Sequence, residues 1–147
     1  MKNLAALLFL SAILLTSCSS TTGTVKGTVC YPSEYIPAMN LYLKNKETGK
    51  IYILDIYENQ KSFKFKKIPE GNYIAFAYTI QEDLTDRNNK SSVVSGGYTH
   101  AVPCGLTVDC KDHSLLVFKV KNGNTTNNIQ ICDWLGAMMK DERKNAP

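Results

Sequence analysis

Residues 62–80 read Ser-Phe-Lys-Phe-Lys-Lys-Ile-Pro-Glu-Gly-Asn-Tyr-Ile-Ala-Phe-Ala-Tyr-Thr-Ile, and this stretch decides the fold class. In 62–67 apolar and basic residues alternate, which puts Phe63 and Phe65 on one face and the lysines on the other. A period of two is the mark of a half-buried strand. Pro69-Glu70-Gly71-Asn72 supplies turn chemistry, because proline presets its own φ and glycine accepts a positive one. Residues 73–80 follow as a second, almost wholly apolar strand.

The same period holds on either side. Toward the N-terminus, 24–30 place Val25, Gly27 and Val29 on one face, and 38–44 turn Met39, Leu41 and Leu43 inward. Residues 50–57 are apolar on both faces, which predicts a strand covered twice or lying at an interface. Between the last two runs, Asn45-Lys46-Glu47-Thr48-Gly49 reads as a hairpin connection. Toward the C-terminus, 81–97 are polar and aperiodic, a long loop with Gly96-Gly97 as a flexible bend. Residues 114–121 and 125–132 read as strands joined through Asn122-Gly123, a type I′ hairpin signal. The tail, 133–147, has a helical cast: Asp133 is placed to act as N-cap, and Trp134 with Met138 and Leu135 with Met139 are i,i+4 pairs. The expectation is all-β, an antiparallel Greek-key β-sandwich of about seven strands over 24–132 with a short C-terminal helical tail.

Composition agrees. The chain has 147 residues, 44% hydrophobic and 20% charged, with a formal net charge of +4. That suits one globular domain and excludes disordered, collagen-like and coiled-coil classes. The basic residues are scattered, so no nucleic-acid partner is indicated.

The first 17 residues join a single lysine, Lys2, to an apolar run from Leu4 to Leu15, too short for a comfortable bilayer span and suited to an export signal. The segment closes Leu15-Thr16-Ser17-Cys18: an aliphatic residue, two small ones, then cysteine. This resembles the lipobox of bacterial lipoproteins. The resemblance implies cleavage before Cys18, a diacylglycerol thioether on Cys18 and an amino group open to acylation. Two or three acyl chains anchor stably, at about 0.8 kcal/mol per buried methylene. Residues 18–23 then form a lipidated tether. Ser19 is not Asp and no acidic run follows, so the expected place is the outer membrane, facing the periplasm.

Of five cysteines, Cys30, Cys104, Cys110 and Cys132 remain after Cys18. An even number in an exported chain predicts two disulfides, with three pairings possible. A local bridge between Cys104 and Cys110 would leave Cys30 with Cys132. A rival reading takes His100, Cys104, Cys110 and His113 as metal ligands, since these are zinc-binding types, but their spacing matches no compact knuckle.

From Gly23 to about Ile80 the chain resembles the carboxypeptidase regulatory-like, transthyretin-like domain. The residues that carry this are 23–29 (Gly-Thr-Val-Lys-Gly-Thr-Val), 36–43 (Ile-Pro-Ala-Met-Asn-Leu-Tyr-Leu) and 63–73 (Phe-Lys-Phe-Lys-Lys-Ile-Pro-Glu-Gly-Asn-Tyr). Gly27 gives room for a bulky residue opposite. Asn59-Gln60-Lys61-Ser62 replaces the acidic-Gly pair often seen before the Phe strand. Such domains are mostly non-catalytic, so the resemblance implies no active residues and no cofactor.

Nor do the residues themselves spell out chemistry. No G-x-S-x-G elbow and no phosphate-cradling loop is present. His100 and His113 are the only histidines, and Asp109 and Asp112 beside His113 read as loop residues that bond to the backbone. Tyr31, Tyr35, Tyr52, Tyr57 and Tyr78 are either sheet-face packing or sugar-stacking platforms. The expected function is therefore a non-enzymatic envelope lipoprotein, a module that binds a protein partner or supports an assembly structurally. The alternative is a carbohydrate- or small-ligand-binding lipoprotein using loop 81–99, with a metal-dependent enzyme as the remote third.

Overall fold

Apolar side chains at alternate positions bury one face of each segment, and the backbone pairs to match. The computed structural model describes residues 21–80 and 94–134. Its elements are β1 (Thr22–Val29), β2 (Met39–Asn45), β3 (Ile51–Ile56), β4 (Ser62–Pro69), β5 (Gly71–Thr79), β6 (Ser95–Gly97), α1 (Ala101–Cys104), β7 (Phe118–Val120) and β8 (Thr125–Ile131). One sheet has the order β4-β1-β8; the other runs β3-β2-β5-β6, with β7 also paired to β5. The two pack as a sandwich-like all-β fold whose core includes Val25, Met39, Leu41, Leu43, Phe63, Phe65, Tyr73, Ile129 and Ile131.

Gly27 is where the smaller sheet closes up. It pairs with Phe63 on one side and Ile129 on the other. A Cβ there would lie 1.8 Å from the Ile129 carbonyl oxygen and 2.5 Å from the Phe63 ring. The 45–49 connection forms as read: the Asn45 side-chain oxygen accepts from the Glu47 and Thr48 amides at 3.0 and 2.8 Å. Asn72 ties this hairpin to the start of β5 through the Glu47 carboxylate, and that bond holds the carboxyl below its ordinary pKa. At the 69–72 turn the chain changes sheets, and the Tyr73 hydroxyl donates back to the Pro69 carbonyl at 2.9 Å.

Several expectations change. The sandwich is not wholly antiparallel, because β8 runs parallel to β1. The 114–121 and 125–132 segments do not form a hairpin: β7 pairs with β5, and β8 with β1. The Asn122-Gly123 turn exists, with Gly123 at φ +71°, but β1 captures it. The Gly123 amide donates to Thr22 and the Thr24 amide to the Asn124 carbonyl. The chain leaving the turn therefore pairs with β1 and not with β7. Gly96-Gly97 is no bend; both residues lie in β6. Residues 22 and 23, read as tether, already pair with β4. A short helix, α1, stands in the cysteine segment.

Strand β3 is an edge strand, not a doubly covered one. Its inward Ile56 is buried while Ile53 is 57% exposed on the other face. The apolar outer face of β2 and β5 is a second cluster, Tyr42, Ile74, Phe76 and Tyr78, with Ile51 and Leu115 packed against it. Here Tyr42 stacks on Phe76 at 5.2 Å, and Tyr78 meets both edge-on. Residues 1–20, 81–93 and 135–147 lie outside the described residues, and with them Cys18, most of the polar loop, and Leu135, Met138 and Met139 of the tail.

Candidate functional site

The site lies where β8 leaves one sheet and touches the other. Ile131 still pairs with Val29, whereas Asp133, two residues on, pairs with Gly97 at the edge of β6. Cys30 and Cys132 form a disulfide across this crossing. The second disulfide joins Cys104 to Cys110 and closes the loop after α1. The pairings are thus the local bridge and the long one. Both loop cysteines are spent in it, so the His100-Cys104-Cys110-His113 metal reading falls. Among the described residues no group of three or more His, Cys, Asp or Glu side chains could hold a metal.

Asp133 organises the crossing. Its side chain is 2% exposed, and one oxygen, Oδ2, accepts from the Thr99 hydroxyl at 2.6 Å and faces His113 Nδ1 at 2.7 Å. An ionised carboxylate offers no hydrogen, so the ring nitrogen is the donor. This leaves Nε2 without a protein partner among the described residues. The Thr99 hydroxyl points at the carboxylate, not at the imidazole, so the trio has no activated nucleophile. A buried carboxylate needs such donors, since an unpaired one would be expelled or neutralised.

The neighbouring acids do something else. Asp112 accepts from the hydroxyl and amide of Ser114, and those two bonds hold its carboxyl below the usual range. Asp112 thus bonds to neighbouring backbone, as its place in the loop suggested, while the partner of His113 is Asp133, twenty residues away. The tail for which Asp133 is read as N-cap lies, from residue 135 on, outside the described residues.

Trp134 follows on the opposite face and covers Gly96, where a Cβ would lie 2.5 Å from the indole. Its Nε1–H donates to the Cys30 carbonyl, and Tyr31 packs edge-on at 4.9 Å. The indole is thereby held on three sides. Beside it opens a hollow of about 500 Å³, lined by Pro32, Leu106, Val108, Lys111, His113 and Trp134 together with Thr107, Asp133 and one cysteine from each disulfide. That volume is typical of small-molecule sites. Val108, at the tip of the disulfide loop, is 94% exposed.

Of the candidate tyrosines Tyr31 reaches this corner, edge-on to Trp134, and the others do not line the hollow. Tyr78 belongs to the outer aromatic cluster, Tyr52 packs near Tyr73 under the Lys50 ammonium, and Tyr35 and Tyr57 are exposed away from the hollow. His100 donates its amide to Ser114 and does not line the hollow. Sequence reasoning missed Thr99, Lys111, Asp133 and Trp134 as site residues. The available signal was Cys132-Asp133-Trp134: a carboxylate next to a half-cystine is held where the bridge holds the backbone.

No protein-family model matches the chain, and no curated protein matches it. Among solved structures, a leucine-rich repeat protein from Bacteroides thetaiotaomicron VPI-5482 is similar over 78% of this chain, at 12% sequence identity and a TM-score of 0.38. The matched stretch spans 14% of the repeat protein's length.

Proposed function

We propose that this chain is a non-enzymatic lipoprotein of the bacterial cell envelope. It is anchored through acylated Cys18, faces the periplasm from the outer membrane, and presents the disulfide-closed loop 104–110 to a protein partner. The observation that carries the reading is the pair of disulfides behind a lipobox-like leader: cystines persist in oxidising compartments, and two of them here brace one corner of the fold. The carboxypeptidase regulatory-like resemblance of 23–80 fits a module that binds and does not catalyse. No helix among the described residues is long and apolar enough to cross a membrane, so membrane attachment in this reading rests on the acyl chains.

Exposed Leu106 and Val108 on a covalently closed loop support protein recognition, because a preorganised loop loses little entropy on binding. The Cys18→Ser chain should incorporate no labelled palmitate and should leave the membrane fraction; membrane retention of that variant would end the anchoring proposal. A photo-crosslinking residue at 108 should yield one discrete envelope adduct that a wild-type competitor removes. Diffuse labelling at 108, matching that at exposed Val117, would remove the partner-binding role. A second reading, small-ligand binding, is favoured by the hollow beside Trp134; residues 81–93 of the loop expected to serve it lie outside the described residues.

A further inference from the structure

The hollow at the sheet crossing has a definite chemical character. Its walls are largely apolar: Pro32, Leu106, Val108, Trp134 and the half-cystines Cys110 and Cys132. Most of its polar groups are already engaged. Asp133 is held by Thr99 and His113, and the Thr107 hydroxyl lies 3.3 Å from Cys110 Sγ. Two side-chain groups remain: the Lys111 ammonium, which has no acidic partner among the described residues, and Nε2 of His113. A sugar would bring several hydroxyls to a site with almost no unspent acceptors, and each unmatched polar group would cost binding energy. A purely apolar molecule would leave the lysine unused. The neighbouring carboxylate of Asp112 is turned to Ser114.

We infer that this hollow is a binding site for a small apolar monocarboxylate, its hydrocarbon or aromatic body against Trp134 and the cystines and its carboxylate between Lys111 and His113. When the imidazole carries a second proton it bridges two carboxylates, Asp133 on Nδ1 and the ligand on Nε2, and that proton comes from solvent or from the acid itself. Charge complementarity selects the acid over its neutral analogues. The buried Asp133 acts as a positioning residue, since it fixes the imidazole ring without reaching the ligand. The inference deepens the lipoprotein reading by naming what the exported domain can take up, and it rests on that reading only for the compartment.

The full chain, recovered from membranes and carried in zwitterionic nanodiscs, tests it with 3-phenylpropionate as probe and 3-phenylpropanol as its neutral match. Trp134 is the sole tryptophan, so its fluorescence reports on this site alone. The acid should change that fluorescence and bind at least about tenfold more tightly than the alcohol, and Lys111→Met should lose about tenfold in acid affinity with the alcohol unaffected. Lys111 is exposed, and intact cystines by mass together with an unchanged near-ultraviolet circular dichroism spectrum would verify the variant's fold. Equal affinity for acid and alcohol, no response to either up to about 10 mM, or an unaltered Lys111→Met would each overturn the inference. Failure of the lipoprotein reading looks different: the chain would not be recovered in membranes at all.

Discussion

Asp133 is the residue on which the corner depends. It is a carboxylate with 2% exposure that accepts from Thr99 and His113 through a single oxygen. Replacing it with alanine strands a buried hydroxyl and a half-buried ring N–H, each worth about 1–3 kcal/mol when left unpaired. Asp133→Ala should therefore cost about 3 kcal/mol in urea unfolding, whereas surface Asp112→Ala should cost about 1 kcal/mol or less. Equal losses from the two variants would mean that the buried contacts contribute nothing beyond a surface turn. Local sequence separates these two aspartates only by the residue before each, a half-cystine before Asp133 and a lysine before Asp112. Only the pairing of 133 with 97 takes one out of water.

At the scale of elements, the strands of 22–80 are where alternation tells most. Val25 and Val29, Met39, Leu41 and Leu43, and Phe63 and Phe65 all point inward, as a period of two requires. In β5 the period fails to show because both faces are apolar and buried: one faces the core, and on the other Ile74, Phe76 and Tyr78 pack with Tyr42, Ile51 and Leu115. Glycine marks the closest strand approach. Gly27→Ala would push a methyl into the Ile129 carbonyl and the Phe63 ring, so a loss of about 3 kcal/mol or more is expected. Gly49→Ala, at φ +72° in open space, should cost only about 1 kcal/mol through backbone strain. Thermal or urea unfolding of the pair checks this, and a Gly27→Ala as mild as Gly49→Ala would show that β1 and β8 can separate there freely. The hairpin signal at Asn122-Gly123 misleads for a related reason. A turn sequence dictates a reversal of the chain, but not which strand is waiting on the far side.

For the whole molecule, the two cystines are unequal. The Cys30–Cys132 bridge spans 102 residues and the Cys104–Cys110 bridge only 6. In the chain-entropy account the long bridge stabilises by about 4–5 kcal/mol and the short one by about 2 kcal/mol. Serine at both 30 and 132 should lower unfolding stability by about twice as much as serine at both 104 and 110. If the order were reversed, the short loop would owe its effect to native packing against α1 and the hollow, not to restriction of the unfolded chain.

What the sequence determined by itself is whatever depends on neighbours along the chain. Alternation made the strands of 22–80 readable, turn residues made the hairpin at 45–49 readable, and counting cysteines in a chain read as exported made two bridges the expectation. Tertiary structure alone decided which strands became partners: the parallel seat of β8 beside β1, and the meeting of Thr99, His113, Asp133 and Trp134. Those four are brought together by a strand that changes sheets within two residues. Such a crossing is selected by the competition among all segments for the same core and leaves no periodic trace in any one of them.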